Sequence, residues 1–372
     1  MKKENKSKPG LIKNLLFMGI VFGFIAVFLE CVGRIVLAFY PESYFITKFE
    51  ATNRFQSDYT YGWDWRPGFK ASDDKFGRVT SFSVSEQGFK DRDFSLQKPA
   101  NTIRIACVGD SITEGVGVAN ADTYPKLLEK YLNSMGSQKK FEVINAGVSD
   151  YSLPQEYFYI KHKIVNFHPD IVILGYYLND GRNFARPKNF YGGGVLKFLL
   201  ERSAFVKWLN LYVTKVAIKV QYKQWEKGRE RWMEVYRDAN WKNDTQALKN
   251  LMQAADRDWG SAWIASGQTI TRAYIQDLHS LARARNFKLV VLCFPLTVQL
   301  YAQKPGDIDL YYPQKFMQGL CKEYKIPYLD LVGSLKKHQN EKIYYDHCHF
   351  AERGREIVAE DIQNFLIANH LI

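Results

Sequence analysis

Apolar residues gather near the start of the chain into one unbroken run, Leu15 to Leu29, with a second stretch from Ile35 to Tyr40. Lys2, Lys3, Lys6, Lys8 and Lys13 precede it, and Glu30 and Arg34 interrupt it at i, i+4, where they can pair on one helix face or sit near the far interface. A bilayer core about 30 Å thick is crossed by about 20 apolar residues, so the segment from Leu15 to Phe39 is long enough to span it. With the lysines on its N-terminal side, the positive-inside rule leaves the rest of the chain outside the cytoplasm. A cleavable signal peptide is the alternative, but no A-x-A-like site follows the run. Glu30 directly before Cys31 spoils a lipoprotein signal. A buried helix of a soluble protein is the plainest alternative, and the length and flanking lysines argue against it.

Beyond residue 100 the pattern changes to short apolar runs, each stopped by a turn residue. Asn101 to Val108 predicts a strand broken by Gly109, and Phe141 to Asn145 a second. Asp170 to Leu174 predicts a third, Phe287 to Phe294 a fourth stopped by Pro295, and Ile326 to Asp330 a short fifth. Gly354 to Leu366 is amphipathic, with Ile357, Val358, Ile362, Phe365 and Leu366 on or near one face, and predicts a helix.

Four blocks fall at the edges of these elements: Gly109-Asp110-Ser111 with Thr113, Asn145-Ala146-Gly147, Asn179-Asp180, and Asp346-His347-Cys348-His349. Acyl transfer to water needs a hydroxyl nucleophile, a base to take its proton, a carboxylate to hold the base's tautomer, and donors for the oxyanion. Ser111, His349 and Asp346 fill the first three roles. The Ser111 N–H, Gly147 and the Asn179 side chain fill the last, since a helix start offers N–H groups to an anion and a glycine lets substrate approach the backbone. Singly, each has a plain structural reading: Ser111 as a helix cap, Asn179-Asp180 as a turn, His349 as a surface histidine. Jointly, in this order and at strand ends, they point to chemistry. His347 competes for the base, but it lies one residue from Asp346, too close for the usual side-chain return. Asp110 and Asp180 are read as hydrogen-bonders that brace their loops. A metal held by His347, Cys348 and His349 lacks a second ligand group at zinc-like spacing, so no metal is expected.

With these blocks the chain resembles the SGNH (GDSL) hydrolase family from about Asn101 to the C-terminus, outside one long insertion. Gly109 to Thr113 with Gly115 looks like its first block, Gly147 its second, Asn179-Asp180 its third, and Asp346 with His349 its fifth, followed by Gly354. The resemblance implies a three-layer α/β/α fold with a five-stranded parallel sheet in the flavodoxin-like order 2-1-3-4-5. It implies esterase chemistry with Ser111 as nucleophile. One position departs: where the family's third block has glycine two residues before the asparagine, this chain has Tyr177.

The remainder divides into a tail and anchor (1–40), a linker with short β elements (41–100) and the hydrolase domain (101–372), with a helical cap insertion at 184–267. In the linker, Val79 to Val84 alternates weakly and predicts a short strand or hairpin. The insertion holds Trp208, Trp225, Trp232, Trp241, Trp259 and Trp263, read chiefly as the core of a small helical subdomain, with sugar stacking or a membrane interface as alternatives. Arg182, Arg186 and Lys188 near the pocket mouth read as solvated charge rather than substrate contacts. The chain has 372 residues and a formal net charge of +12, without a helix-turn-helix or RNA-binding signature, so no nucleic acid is expected. No cofactor is implied, since glycine-rich phosphate loops are absent. Five scattered cysteines, Cys31, Cys107, Cys293, Cys321 and Cys348, favour free thiols. The expectation is an extracytoplasmic, membrane-anchored esterase acting on an acylated glycan, with a glycan acyltransferase, a lipid-directed esterase and a catalytically silent glycan-binding protein as alternatives.

Overall fold

The computed structural model describes residues 9–40, 54–58, 61–182 and 195–372. Lys2, Lys3, Lys6, Lys8, Pro41, Phe184, Arg186 and Lys188 lie outside the described residues. Helix α1 (Pro9–Phe39) contains the apolar run, and its stretch Lys13–Phe39 is long and apolar enough to cross a membrane. Glu30 and Arg34 pair on it at 2.9 Å. Two hairpins follow, β1 (Phe55–Asp58) with β2 (Gly62–Trp65) and β3 (Lys70–Lys75) with β4 (Arg78–Ser83). The second contains the expected Val79 strand. The first gives little period-2 signal, because all four residues of β2 are buried.

The α/β unit then runs β5 (Thr102–Gly109), α2 (Ser111–Glu114), α3 (Tyr124–Ser134), β6 (Lys140–Gly147), α4 (Leu153–His162) and β7 (Ile171–Tyr176). Next come the helices α5 (Val195–Arg202), α6 (Ala204–Arg237), α7 (Thr245–Ala254) and α8 (Ala265–Arg285). The unit closes with β8 (Lys288–Cys293), α9 (Thr297–Tyr301), α10 (Tyr312–Tyr324), β9 (Tyr328–Asp330), α11 (Val332–Lys337) and α12 (Glu352–Ala368). The five-stranded sheet is parallel, ordered β6-β5-β7-β8-β9, which is the 2-1-3-4-5 arrangement with helices around it. Each expected strand lies within about two residues of an observed one, the tolerance usual for element ends. Gly267, the expected end of the insertion, lies inside α8: it meets the Ser261 backbone so closely that a Cβ would fall 2.2 Å from the Ser261 oxygen.

Register determines where the chemistry can sit. Gly109 of β5 pairs with Gly147 of β6 and Gly175 of β7, so three glycines lie side by side at the carboxyl edge of the sheet. Helix α2 rests directly on them. A Cβ at Gly109 or Gly175 would fall 2.2 or 2.6 Å from Thr113 Oγ1, and one at Gly147 only 2.0 Å from the Glu114 nitrogen. Thr113 Oγ1 hydrogen-bonds Tyr124 Oη at 3.1 Å, and Asn145 Nδ2 donates to the Glu114 carbonyl at 3.3 Å, which holds the turn against this floor.

Because the obstruction at Gly147 is backbone rather than a movable side chain, Gly147→Ala is expected to cost about 1–3 kcal/mol or more. A lowered midpoint in thermal denaturation of the full chain checks this, and an unchanged midpoint contradicts the close approach.

Candidate active site

The strand-to-helix turn after β5 is capped by Asp110, whose Oδ1 accepts from the Ile112 N–H at 2.9 Å. The capping role therefore falls to Asp110, and the Ser111 hydroxyl is free for other work. Asp346 folds its own turn in the same manner. Its Oδ1 accepts from the N–H groups of Cys348 and His349 at 2.9 and 2.8 Å, and its Oδ2 lies 2.7 Å from His349 Nδ1. His349 Nε2 lies 2.9 Å from Ser111 Oγ. One continuous hydrogen-bonded line thus joins carboxylate, imidazole and hydroxyl across residues 238 positions apart. With Nδ1–H given to Asp346, Nε2 is left to accept the serine proton.

Of the expected oxyanion donors, the Ser111 N–H has no acceptor among the described residues. Neither amide atom of Asn179 has a hydrogen-bond partner among them either, and its Oδ1 is buried without one. Gly147 differs: its N–H donates to Asn145 Oδ1 at 3.1 Å, so it can serve an oxyanion only by sharing that hydrogen. Its lack of a side chain also has another cause than substrate clearance, namely the approach of α2. The Tyr177 departure leaves the third loop well tied. Asp180 Oδ2 accepts from the Tyr177 N–H at 2.7 Å, and the Asp180 N–H donates back to the Tyr177 carbonyl at 3.0 Å. Asp110 and Asp180 are therefore the loop braces expected of them.

The electrostatics separate the carboxyls. Burial pushes Asp110 up to about 6, and burial together with neighbouring carboxylates pushes Glu156 and Asp180 well above the usual range. Asp346 behaves oppositely: against its burial, the His349 charge and hydrogen bond hold it well below that range. His349 is raised, because the Asp346 charge and hydrogen bond outweigh the effect of burial. His347 is pushed down to about 4 by burial and stays neutral. Near neutral pH, Asp346 is thus the carboxylate that stays ionised beside His349, while Glu156 and Asp180 favour their protonated forms.

Several contacts join the site without a motif to announce them. The turn between β3 and β4 is Phe76-Gly77, both at positive φ, and Phe76 stacks on Tyr345 with ring centres 4.9 Å apart and lies 5.8 Å from the His349 ring. Trp65 and Trp63 of β2 donate their indole N–H groups to the carbonyls of Gly147 and Ser149 at 3.1 and 3.2 Å. From α6, Trp232 packs edge-on against His347 at 4.8 Å, and Tyr236 Oη meets Thr297 Oγ1 at 2.8 Å. His347 is therefore enclosed under α6, and it is His349 rather than His347 that meets Ser111. Trp225, Trp232, Trp241 and Trp259 are all buried, as core residues are. Arg182 is a correction: it is no solvated charge but a buried side chain, 3.6 Å from Asp258, with Nε donating to the Asn179 carbonyl at 2.8 Å. It takes this place because α6 and the Asp258 turn close over the third loop. All five cysteines are free thiols. Asp346, His347 and Cys348 each bring a potential ligand atom within 4.8 Å of the others, but the Asp346 oxygens are already engaged by its own turn and His349.

A family model described as the GDSL-like Lipase/Acylhydrolase family matches residues 107–357. No curated protein matches the chain. Among solved structures, the acetyl xylan esterase AlAXEase is 16% identical with a TM-score of 0.39, over 70% of this chain and 98% of that one. LAE5, an α/β hydrolase from the metagenome of Lake Arreo, Spain, is 13% identical with a TM-score of 0.42, over 72% and 95%. A catalytic mutant of Axe2, an acetylxylan esterase from Geobacillus stearothermophilus, is 11% identical with a TM-score of 0.40, over 71% and 94%.

A neutral His349 is required of a base, so kcat/KM for a small ester is expected to rise with pH through an inflection above 6.5, the ordinary histidine value. Asp346→Asn removes the cause of the raised value. It should move that inflection downward and slow turnover by about 10⁴-fold, whereas an unmoved inflection assigns the titration to another group. Asn179→Ala should cut turnover by about a hundredfold or more with the fold intact; unchanged turnover removes Asn179 from the oxyanion site.

Proposed function

The chain belongs to the GDSL-like lipase/acylhydrolase family, an ester-hydrolysing serine hydrolase, and from that premise we propose a membrane-anchored, extracytoplasmic esterase that removes O-acyl groups, acetyl foremost, from a cell-surface glycan. The observation that carries the reading is the line from Ser111 Oγ through His349 to Asp346, with both links at hydrogen-bond distance. Ser111 Oγ attacks the ester carbonyl as its proton passes to His349 Nε2. The oxyanion is met by the Ser111 N–H and the Asn179 amide, with Gly147 N–H as a shared third donor. His349 then returns the proton to the departing alcohol, leaving acyl-Ser111. A water that gives its proton to His349 attacks the acyl carbonyl, and the acid is released as Ser111 recovers its hydrogen.

Two features support the glycan and the location. Phe76 and Tyr345 form a stacked, partly exposed aromatic pair beside His349, a surface suited to the C–H face of a sugar ring. Phe76 sits at a φ of 58°, a conformation that costs energy outside glycine and that clusters at functional sites. The lysine-flanked apolar helix α1 supports an anchor with the catalytic unit on the outer side.

A fluorophosphonate probe should label the wild-type protein and not Ser111→Ala. An unreactive wild type supports the silent binding protein, and acyl transfer to a sugar without release of acetate into water supports the transferase. Phe76→Ala should raise KM for an acetylated oligosaccharide by about two- to tenfold, the equivalent of about 0.5–1.5 kcal/mol, while kcat on a small acetate ester holds. Equal losses on both substrates count against a sugar platform.

A further inference from the structure

Helix α6 begins against α1. The Glu30 carboxylate of α1 accepts from Ser203 Oγ at 2.8 Å and from the N–H groups of Ala204 and Phe205 at 3.1 and 3.4 Å. A Cβ at Gly33 would fall 2.4 Å from Phe205 Cα, so the two backbones touch there. Farther along, Val36 and Leu37 of α1 pack with Trp208 and Leu211 of α6. The contacts advance in the same direction on both helices, so α6 runs alongside α1, away from its lysine-bearing end. Its first turns therefore share the surroundings of the apolar stretch Lys13–Phe39.

At 100° per residue, Leu209, Val213, Val216 and Val220 form one stripe with Tyr212 at its margin, and all five are 43–52% exposed. The stripe lies opposite Trp225, Trp232 and Tyr236, which face the catalytic unit. Phe198 and Leu199 of α5 are exposed as well, at 53% and 40%. The next two positions on the stripe are Lys223 and Lys227, both exposed.

We propose that this stripe is a second membrane contact, lying on the outer leaflet with its valines at the boundary of acyl chains and headgroups and Lys223 and Lys227 at the lipid phosphates. The proposal rests on the reading of α1 as a membrane anchor. Length supports it: the 27 residues Lys13–Phe39 measure about 40 Å as a helix against a hydrocarbon core of about 30 Å. Such an excess is relieved by tilt. A lean toward the stripe lowers the flank of α6 onto the surface. The order of residues chooses the occupant. A second copy packed along the same seam would place Lys223 and Lys227 at its core positions, where charge is costly, whereas anionic headgroups attract lysines.

The test uses the full chain in bilayer nanodiscs of phosphatidylcholine and phosphatidylglycerol. Cys31 is the one exposed cysteine, so Cys31→Ser leaves only buried thiols as a background for nitroxide labelling. Labels are placed at Val216→Cys and, in a separate protein, at Phe24→Cys of α1. Dissolved oxygen is expected to relax both labels more strongly than a water-soluble nickel chelate, a ratio above one at each. A ratio below one at position 216 with one above unity at position 24 puts the stripe in water and overturns the proposal while the anchor stands. Shielding of position 216 from both reagents reveals a protein partner and overturns it too. A ratio below one at position 24 removes the anchor reading itself, and this proposal with it.

Discussion

The site depends on a close approach of two backbones. Helix α2 is pressed onto the carboxyl edge of the sheet until its atoms occupy the space where three side chains would begin. Only glycine at positions 109, 147 and 175 allows it, and the parallel register sets those three glycines abreast. Dense packing then fixes Thr113 and Glu114 against the sheet, and with them the start of α2 at Ser111. Everything else in the constellation is brought to this fixed point. The Asn179 loop follows β7 to the same edge, and the Asp346–His349 turn leans in from the segment before α12. Preorganisation of this kind is what catalysis by fixed dipoles requires, since donors that need not reorganise cost nothing when charge develops.

Charge is arranged to suit the same end. A buried carboxylate under an oxyanion would oppose its formation, yet Asp110, Glu156 and Asp180 are all buried and interact electrostatically beside the turn that carries Ser111. Burial itself eases the conflict for two of them by favouring the neutral forms of Glu156 and Asp180, while Asp110, pushed up to about 6, rests its charge on the Ile112 N–H. Asp346 escapes this because its turn supplies two N–H donors and an imidazole. Two aspartates therefore differ through local hydrogen bonding, with Asp110 fastening a helix start and Asp346 holding the His349 imidazole.

What the chain discloses in one dimension follows from the range of the interactions. The strand runs, the C-terminal helix and the four blocks are local patterns, and the relay among Ser111, His349 and Asp346 could be anticipated because each member lies within a short motif. The glycine floor is half legible: Gly147 is visible in a motif, but its reason is contact with a helix 33 residues earlier. Gly175 gives no signal beside the departure at Tyr177. Phe76, Trp63 and Trp65 come from hairpins whose polar and aromatic residues show no clean alternation, and only their tertiary partners reveal them. Arg182 looks solvent-exposed in one dimension because nothing nearby in sequence predicts that Asp258 closes over it. Glu30 could be paired with Arg34 from spacing alone, whereas its role in capping α6 joins segments 174 residues apart.

Helix α6 links the two halves of the molecule. At its N-terminus it is fastened to α1 by Glu30 and Gly33, and near its C-terminus Trp232 and Tyr236 bear on the turn that carries His349. The 34 residues of α6 make a rod of about 50 Å, so the distance between the apolar span and the turn that carries His349 is set by a single element. Its first turns run beside α1, so only its later turns set how far the site stands from the apolar span.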